Sequence, residues 1–184
     1  MSRPQETEND PMSISLYDIT IPSYLQTVTA IRGVLKKGAG FCKEKGIDPQ
    51  SLVETRLADD MFPLRFQVVS VAHHSIGAIE GIKKGTFGPP GAEQPQDYQG
   101  LQDLLDRTEE ALRAVTPAEV NALLGGDMAF QMRDFRIPFT AETFILSFSL
   151  PNFYFHAATT YDMLRMKGVP LGKRDYLGQM RIKA

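Results

Sequence analysis

Three histidines, His73, His74 and His156, are the side chains of this sequence best suited to exchange a proton near neutral pH, since an unperturbed imidazole has a pKa near ~6.5. His156 ends the segment Leu150-Pro151-Asn152-Phe153-Tyr154-Phe155-His156. On a helix it shares one side with Ser149, Asn152, Thr159 and Thr160, and Asn152 stands one turn below it. Phe144, Leu146, Phe148, Leu150, Phe153, Phe155, Ala157 and Leu164 flank this stripe. The helix therefore reads as apolar almost all round and is expected at the centre of the protein. A polar stripe there needs partners, at roughly 1–3 kcal/mol for each buried group left unpaired. It should face a hydrogen-bond network, water, a metal or a ligand. His73 and His74 are adjacent on an earlier helix, near opposite edges of its apolar stripe, and spacing does not choose which one meets His156. Two imidazoles with an amide or a water make a thin metal site, because dedicated zinc sites use three or four protein ligands. The plainer alternative is a core histidine bonded to a neighbour, plus a surface pair.

Other candidates are weaker. Asp59-Asp60 precedes a helix, where aspartates usually cap. Asp162, beside Tyr161, could orient an imidazole but reads as a solvated helix residue. Lys173-Arg174-Asp175 could close over a site or pair on the surface. Cys42 has a cationic neighbour, Lys43, yet a lone helix cysteine is more often inert packing. Met61, Met128, Met132, Met163 and Met166 read as core filler. Nucleophile elbows, HExxH, CxxC and calcium loops are absent from the sequence.

Helices must position these residues. Apolar spacing from Ile21 to Leu35 predicts a helix from Pro22 to about Lys45, stopped at Gly46. Asp48-Pro49 opens a short helical segment, and a long helix is expected from Pro63 to about Lys84. Residues 85–98 are rich in glycine and proline and read as a loop; no strand precedes the glycines, so a phosphate loop is rejected. A helix over 99–115 and a turn from Thr116-Pro117 follow. Residues 128–138 alternate as a small hairpin, and Thr140 opens a last long helix to about Lys167, kinked at Pro151. Val169 to Ala184 shows no strong pattern. The expected fold is all-α: an antiparallel four-helix bundle with a small β-hairpin insertion before the last helix. Residues 1–16 are expected to be a tail, 17–178 one bundle domain, and 179–184 a short C-terminal tail.

The 184 residues carry 42% hydrophobic and 23% charged side chains at a net charge of −2, the composition of a globular chain with no attraction for nucleic acid or anionic lipid. One cysteine excludes an internal disulfide framework. No apolar run is long enough to span a bilayer, and the polar N-terminus is no secretory signal. A cytoplasmic protein is expected.

Three segments carry a family resemblance: Arg56-Leu57-Ala58-Asp59-Asp60-Met61-Phe62-Pro63-Leu64; Leu150 to His156 continuing through Thr159-Thr160-Tyr161-Asp162; and Gly168-Val169-Pro170-Leu171-Gly172-Lys173-Arg174-Asp175-Tyr176-Leu177-Gly178. Together, over residues 17–178, the chain resembles a bacterial and fungal branch of the DinB/YfiT-like superfamily. The resemblance implies a four-helix bundle. Many members hold a divalent metal, zinc or nickel, with one histidine from the second helix and an H-x-x-x-H pair from the last. Some are thiol-dependent transferases or isomerases and others hydrolases. The second histidine of the pair corresponds to His156, the first to Asn152, and the second-helix ligand to His73. This chain then keeps two of three ligands, His73 and His156, and replaces the third by an amide. The expected function is a small-molecule enzyme using His73, Asn152 and His156, as a degenerate metal site or as metal-free acid–base groups. The competing expectation is a non-catalytic ligand-binding or stress-response bundle, dimeric with a second copy.

Overall fold

A computed structural model describes residues 14–91 and 94–183. Helix α1 (Leu16–Lys45) is the longest element. It starts six residues before Pro22, because Ser15 and Asp18 form a reciprocal cap: Ser15 Oγ accepts from the Asp18 N–H, and the Asp18 carboxylate accepts from the Ser15 N–H at 3.0 Å. Pro22 lies inside the helix instead of opening it. Gly46, left-handed at φ 66°, closes it. One face of α1 (Ile21, Tyr24, Val28, Ile31, Leu35) is fully buried.

Helix α2 (Gln50–Val53) is short, with the Gln50 N–H donating to Asp48 Oδ1 at 2.9 Å. The expected single helix over 63–84 is two: α3 (Leu64–His73) and α4 (Ile76–Lys84). The break falls at His74-Ser75. Ser75 Oγ bonds back to the Val71 and Ala72 carbonyls at 2.7 and 3.1 Å, competing with the backbone ladder as a mid-helix serine can. Asp59 and Asp60 stay exposed, and α3 has no side-chain cap, so the capping role expected of them is not seen.

The glycine- and proline-rich segment holds one short strand, β1 (Thr86–Phe87). Helices α5 (Tyr98–Ala114) and α6 (Pro117–Asn121) follow, capped by Asp97 and Thr116. The hairpin forms from β2 (Asp127–Met132) and β3 (Phe135–Thr140), paired antiparallel with Ala129 opposite Pro138. Strand β1 adds to β2 in parallel, so the sheet has three strands in the order β1-β2-β3. The molecule is thus mostly helical with a small mixed sheet.

The last long helix is continuous but not uniform. Helix α7 (Ala141–Phe144) passes into a π-helical turn (Ile145–Ser149), then α8 (Leu150–Met166). Pro151 has no N–H to give, and the helix widens just before it, with the Leu150 N–H reaching Ile145 O, five residues back. The helix is not central either. Leu146, Tyr154 and Phe155 are exposed on its outer side, while Phe153, Ala157, Met163 and Leu164 face the core. Beyond Gly168, Val169 and Leu171 are buried and α9 (Lys173–Leu177) packs on α1, where Lys37 Nζ meets Asp175 Oδ1 at 2.6 Å. Among the described residues no helix is long and apolar enough to cross a membrane.

Candidate functional site

The α3–α4 break and the π turn of the last helix lie against each other. The His74 carbonyl, at the break, accepts from Ser149 Oγ at 2.8 Å, and Ser149 Oγ also meets Tyr24 Oη at 3.3 Å. Around this contact all three histidines come together. His74 is buried, and its ring lies 5.8 Å from that of His156 with planes 19° apart and 5.5 Å from that of His73. Its Nδ1 is buried with no hydrogen-bond partner among the described residues.

His156 projects from α8 towards α3, where its Nδ1 lies 2.7 Å from Gln67 Oε1. Gln67 is buried, and its Nε2 donates to Phe62 O at 2.9 Å. His73 turns the other way. Its Nε2 bonds Gly88 O at 2.7 Å, and its ring stacks on Phe87 at 4.3 Å. Gly77 gives it room, since a Cβ there would lie 3.2 Å from His73 Nδ1. His73 also lines a cavity of about 220 Å³ with Val69, Ile76, Gly77 and Leu104. The side chain brought face to face with His156 is therefore that of His74. The neighbouring histidine, His73, is committed to the loop after β1.

Most of the polar stripe on the last helix is satisfied within that helix. Asn152 Nδ2 donates to Phe148 O at 2.7 Å, Thr159 Oγ1 to Phe155 O at 2.8 Å, and Thr160 Oγ1 to His156 O at 2.9 Å. Only Ser149 and His156 reach across to another element with their side chains.

Burial decides the charge of the cluster. It pushes His74 down to about 3, assisted by its two histidine neighbours, and His156 down to about 4, assisted by His73. Burial also lowers His73, against the opposing pull of the Gly88 carbonyl. All three imidazoles are neutral at pH 7. The rim beside His156 is aromatic: its ring lies 5.9 Å from that of Phe66 and 5.3 Å from that of Phe155, and Phe66 stacks on Phe62 at 4.3 Å. Phe62 and Phe155 are more than half exposed.

A family described as "Domain of unknown function (DUF1993)" matches residues 16–177, almost the whole chain. The chain belongs to the DUF1993 family. A crystal structure of a DinB family member protein from Shewanella denitrificans is similar to this DUF1993 protein, with a TM-score of 0.78 and 26% identity, covering 92% of this chain and 95% of that one. The resemblance to the DinB/YfiT-like superfamily thus holds over the fold as a whole. No curated protein matches.

The donor set of this DUF1993 chain falls short of a metal centre. Among the described residues no group of three or more His, Cys, Asp or Glu is arranged to hold an ion. Only His74 and His156 stack face to face; His73 Nε2 and the Asn152 amide nitrogen are already engaged, and an amide oxygen is a neutral donor. No motif marks Gln67 or the His74 carbonyl that Ser149 reaches. Gln67 falls between Leu64 and Val68 on the apolar stripe of its helix, and a lone buried amide at a core-facing position was the available signal.

Proposed function

We propose that the protein is a small-molecule enzyme whose reacting group is the neutral His156 imidazole, working by hydrogen bonding and proton exchange. Asn152, one turn away on α8, adds an amide oxygen to the same rim; His74 backs the ring and His73 closes the far side of the cluster. The observation that carries this reading is that His156 is only part-buried, neutral, and held by Gln67 at 2.7 Å. That leaves its other ring nitrogen able to accept from a ligand. Among the described residues the cluster holds no cation to pair with an anionic substrate. An uncharged organic molecule with one N–H or O–H donor and an apolar body, seated against Phe62, Phe66 and Phe155, suits it. Isomerisation, elimination, transfer and hydrolysis all draw on such a group. A divalent ion held by His74 and His156, or by His73 and His156, would have two protein ligands, and no step is assigned to one. In the same reading the long helices pack as an antiparallel four-helix bundle in a cytoplasmic protein.

The test is a thermal-shift screen of uncharged small molecules on untagged wild-type protein and on His156→Ala, beside metal analysis of both. Compounds that raise the melting temperature of the wild type, leave the variant unmoved and are converted by the wild type alone uphold the reading. Equal shifts in both overturn it. A metal content that falls by half or more in His156→Ala would restore the metal-dependent alternative.

A non-catalytic ligand-binding bundle, dimeric through the last helix, is the second reading. The exposed apolar side chains Leu146, Tyr154 and Phe155 favour it. Ligands that bind through His156 without ever being turned over, in a protein that elutes as a dimer, would support it over the first.

A further inference from the structure

We propose that Gln67 is a positioning residue that fixes which nitrogen of His156 carries the proton, and that the Arg56–Leu64 segment is built to hold Gln67 in that role. The inference deepens the proposed function and rests on His156 being the acting group there.

The hydrogen bonds have a defined direction. Phe62 O is a backbone carbonyl and can only accept, so the Gln67 group facing it at 2.9 Å is the amide N–H₂. That leaves Gln67 Oε1, which can only accept, facing His156 Nδ1 at 2.7 Å. His156 Nδ1 must therefore carry the hydrogen, and Nε2 the free lone pair. Reversing the amide would set two oxygens against each other at Phe62. Gln67 is 2% exposed, so water is in no position to relieve such a clash. An imidazole free in water favours the opposite form, with the hydrogen on Nε2. The protein thus imposes the less favoured one. Second-layer partners commonly orient working imidazoles in this way.

The accepting carbonyl is itself held. Arg56 donates a guanidinium N–H to Met61 O, the Met61 N–H donates to Ala58 O at 3.0 Å, and the Leu64 N–H donates to Thr55 O at 2.8 Å. These bonds fold residues 55–64 into a compact turn whose hydrogen-bonded link to the histidine cluster is Phe62 O through Gln67. Asp59 and Asp60 play no part in it and stay exposed. A segment otherwise without a chemical role thereby acquires one, at a distance from the imidazole that it sets.

The experiment is long-range ¹⁵N–¹H correlation spectroscopy of the histidine rings at pH 7.5, in the wild type, Gln67→Met and Gln67→Glu, with the His156 signals identified by their loss in His156→Asn. The wild type should show His156 with the hydrogen on Nδ1. Gln67→Met, of similar size but without an acceptor, should shift most of the population to the Nε2–H form. Gln67→Glu, whose buried carboxyl in its protonated form can donate to Phe62 O and still present an accepting oxygen to His156, should keep the Nδ1–H form. A wild-type His156 with its hydrogen on Nε2, or an unchanged Nδ1–H signal in Gln67→Met, would overturn the proposal. If Gln67→Met does not fold, the wild-type spectrum decides by itself. The failure of the proposed function has a different signature: ligand shifts that ignore His156→Ala, with the ring spectra as stated here.

Discussion

The hydroxyl of Ser149 donates to the main-chain carbonyl of His74 at 2.8 Å, joining the π turn of the last helix to the break between α3 and α4. Both elements are irregular, and each supplies what the other lacks. A broken helix leaves a carbonyl without its ladder partner, and buried carbonyls need one. Ser149→Ala should leave that carbonyl, and the Tyr24 hydroxyl behind it, unsatisfied in the core. The expected loss is about 1–3 kcal/mol of stability, read from urea denaturation. A loss below about 0.5 kcal/mol would mean that the contact is incidental.

Stability should depend on the histidines as pH falls. Unfolded, each imidazole takes its proton near ~6.5. Folded, burial holds His156 down to about 4 and His74 down to about 3. Between these limits the unfolded chain binds more protons than the native one, so stability is full above about pH 6.5 and declines as pH drops towards 4. Titrating the urea midpoint from pH 7.5 to pH 4.5 checks this. His156→Gln, which keeps a polar side chain beside Gln67, should show a shallower decline than the wild type over that interval.

Two glycines of α1 should answer alanine in opposite directions. A Cβ at Gly33 would have nothing within 4 Å, so Gly33→Ala should gain about 0.5–1 kcal/mol from helix propensity alone. At Gly38 a Cβ would collide with the Tyr98 hydroxyl, which is tied to Leu35 O at 2.8 Å. Gly38→Ala should therefore lose about 1–3 kcal/mol as the buried phenol is displaced. Thermal melts of the two variants, run together, settle the pair.

Glu109 links α5 to α1. Its buried carboxylate takes bonds from Arg32 and, at 2.6 Å, from Arg113. Burial, the largest single influence, pushes its pKa up; the bonds from Arg113 and Arg32 outweigh this and hold it below the usual range. Glu109→Gln keeps the shape but leaves two guanidinium groups facing an amide. A loss of about 1–3 kcal/mol is expected, smaller than for a fully buried pair because Arg32 and Arg113 keep contact with solvent. Denaturation at low and high salt should both register it.

Helix periodicity and capping chemistry carried far in this chain. The elements over 98–114, 117–121 and 127–140 lie within two residues of where alternation, Thr116-Pro117 and Thr140 set them. Pro22 misled because a first-turn proline and a proline one turn further in look alike until the Ser15–Asp18 cap is seen to be used. The break at His74-Ser75 was hidden because the apolar spacing runs on through it. Only the Ser75 hydroxyl, competing for carbonyls, disturbs the ladder. The two histidines at the break part company: His73 bonds Gly88 O and His74 lies against His156. Partners such as Gln67 Oε1 and Gly88 O are distant in sequence, and nothing in local pattern names them.

Pro151 and the widened turn before it also set the phase of everything downstream. A π turn accommodates one residue more than the α-helix it interrupts, so α8 is rotated by about 100° relative to a straight continuation of α7. Remove one residue between Ile145 and Ser149 and His156 would swing away from Gln67 by more than a quarter of a circle, with every side chain of the cluster still encoded. In this chain the spatial register of the imidazole is stored as an insertion, and an alignment that closes that insertion as a gap would lose the site while keeping all of its residues.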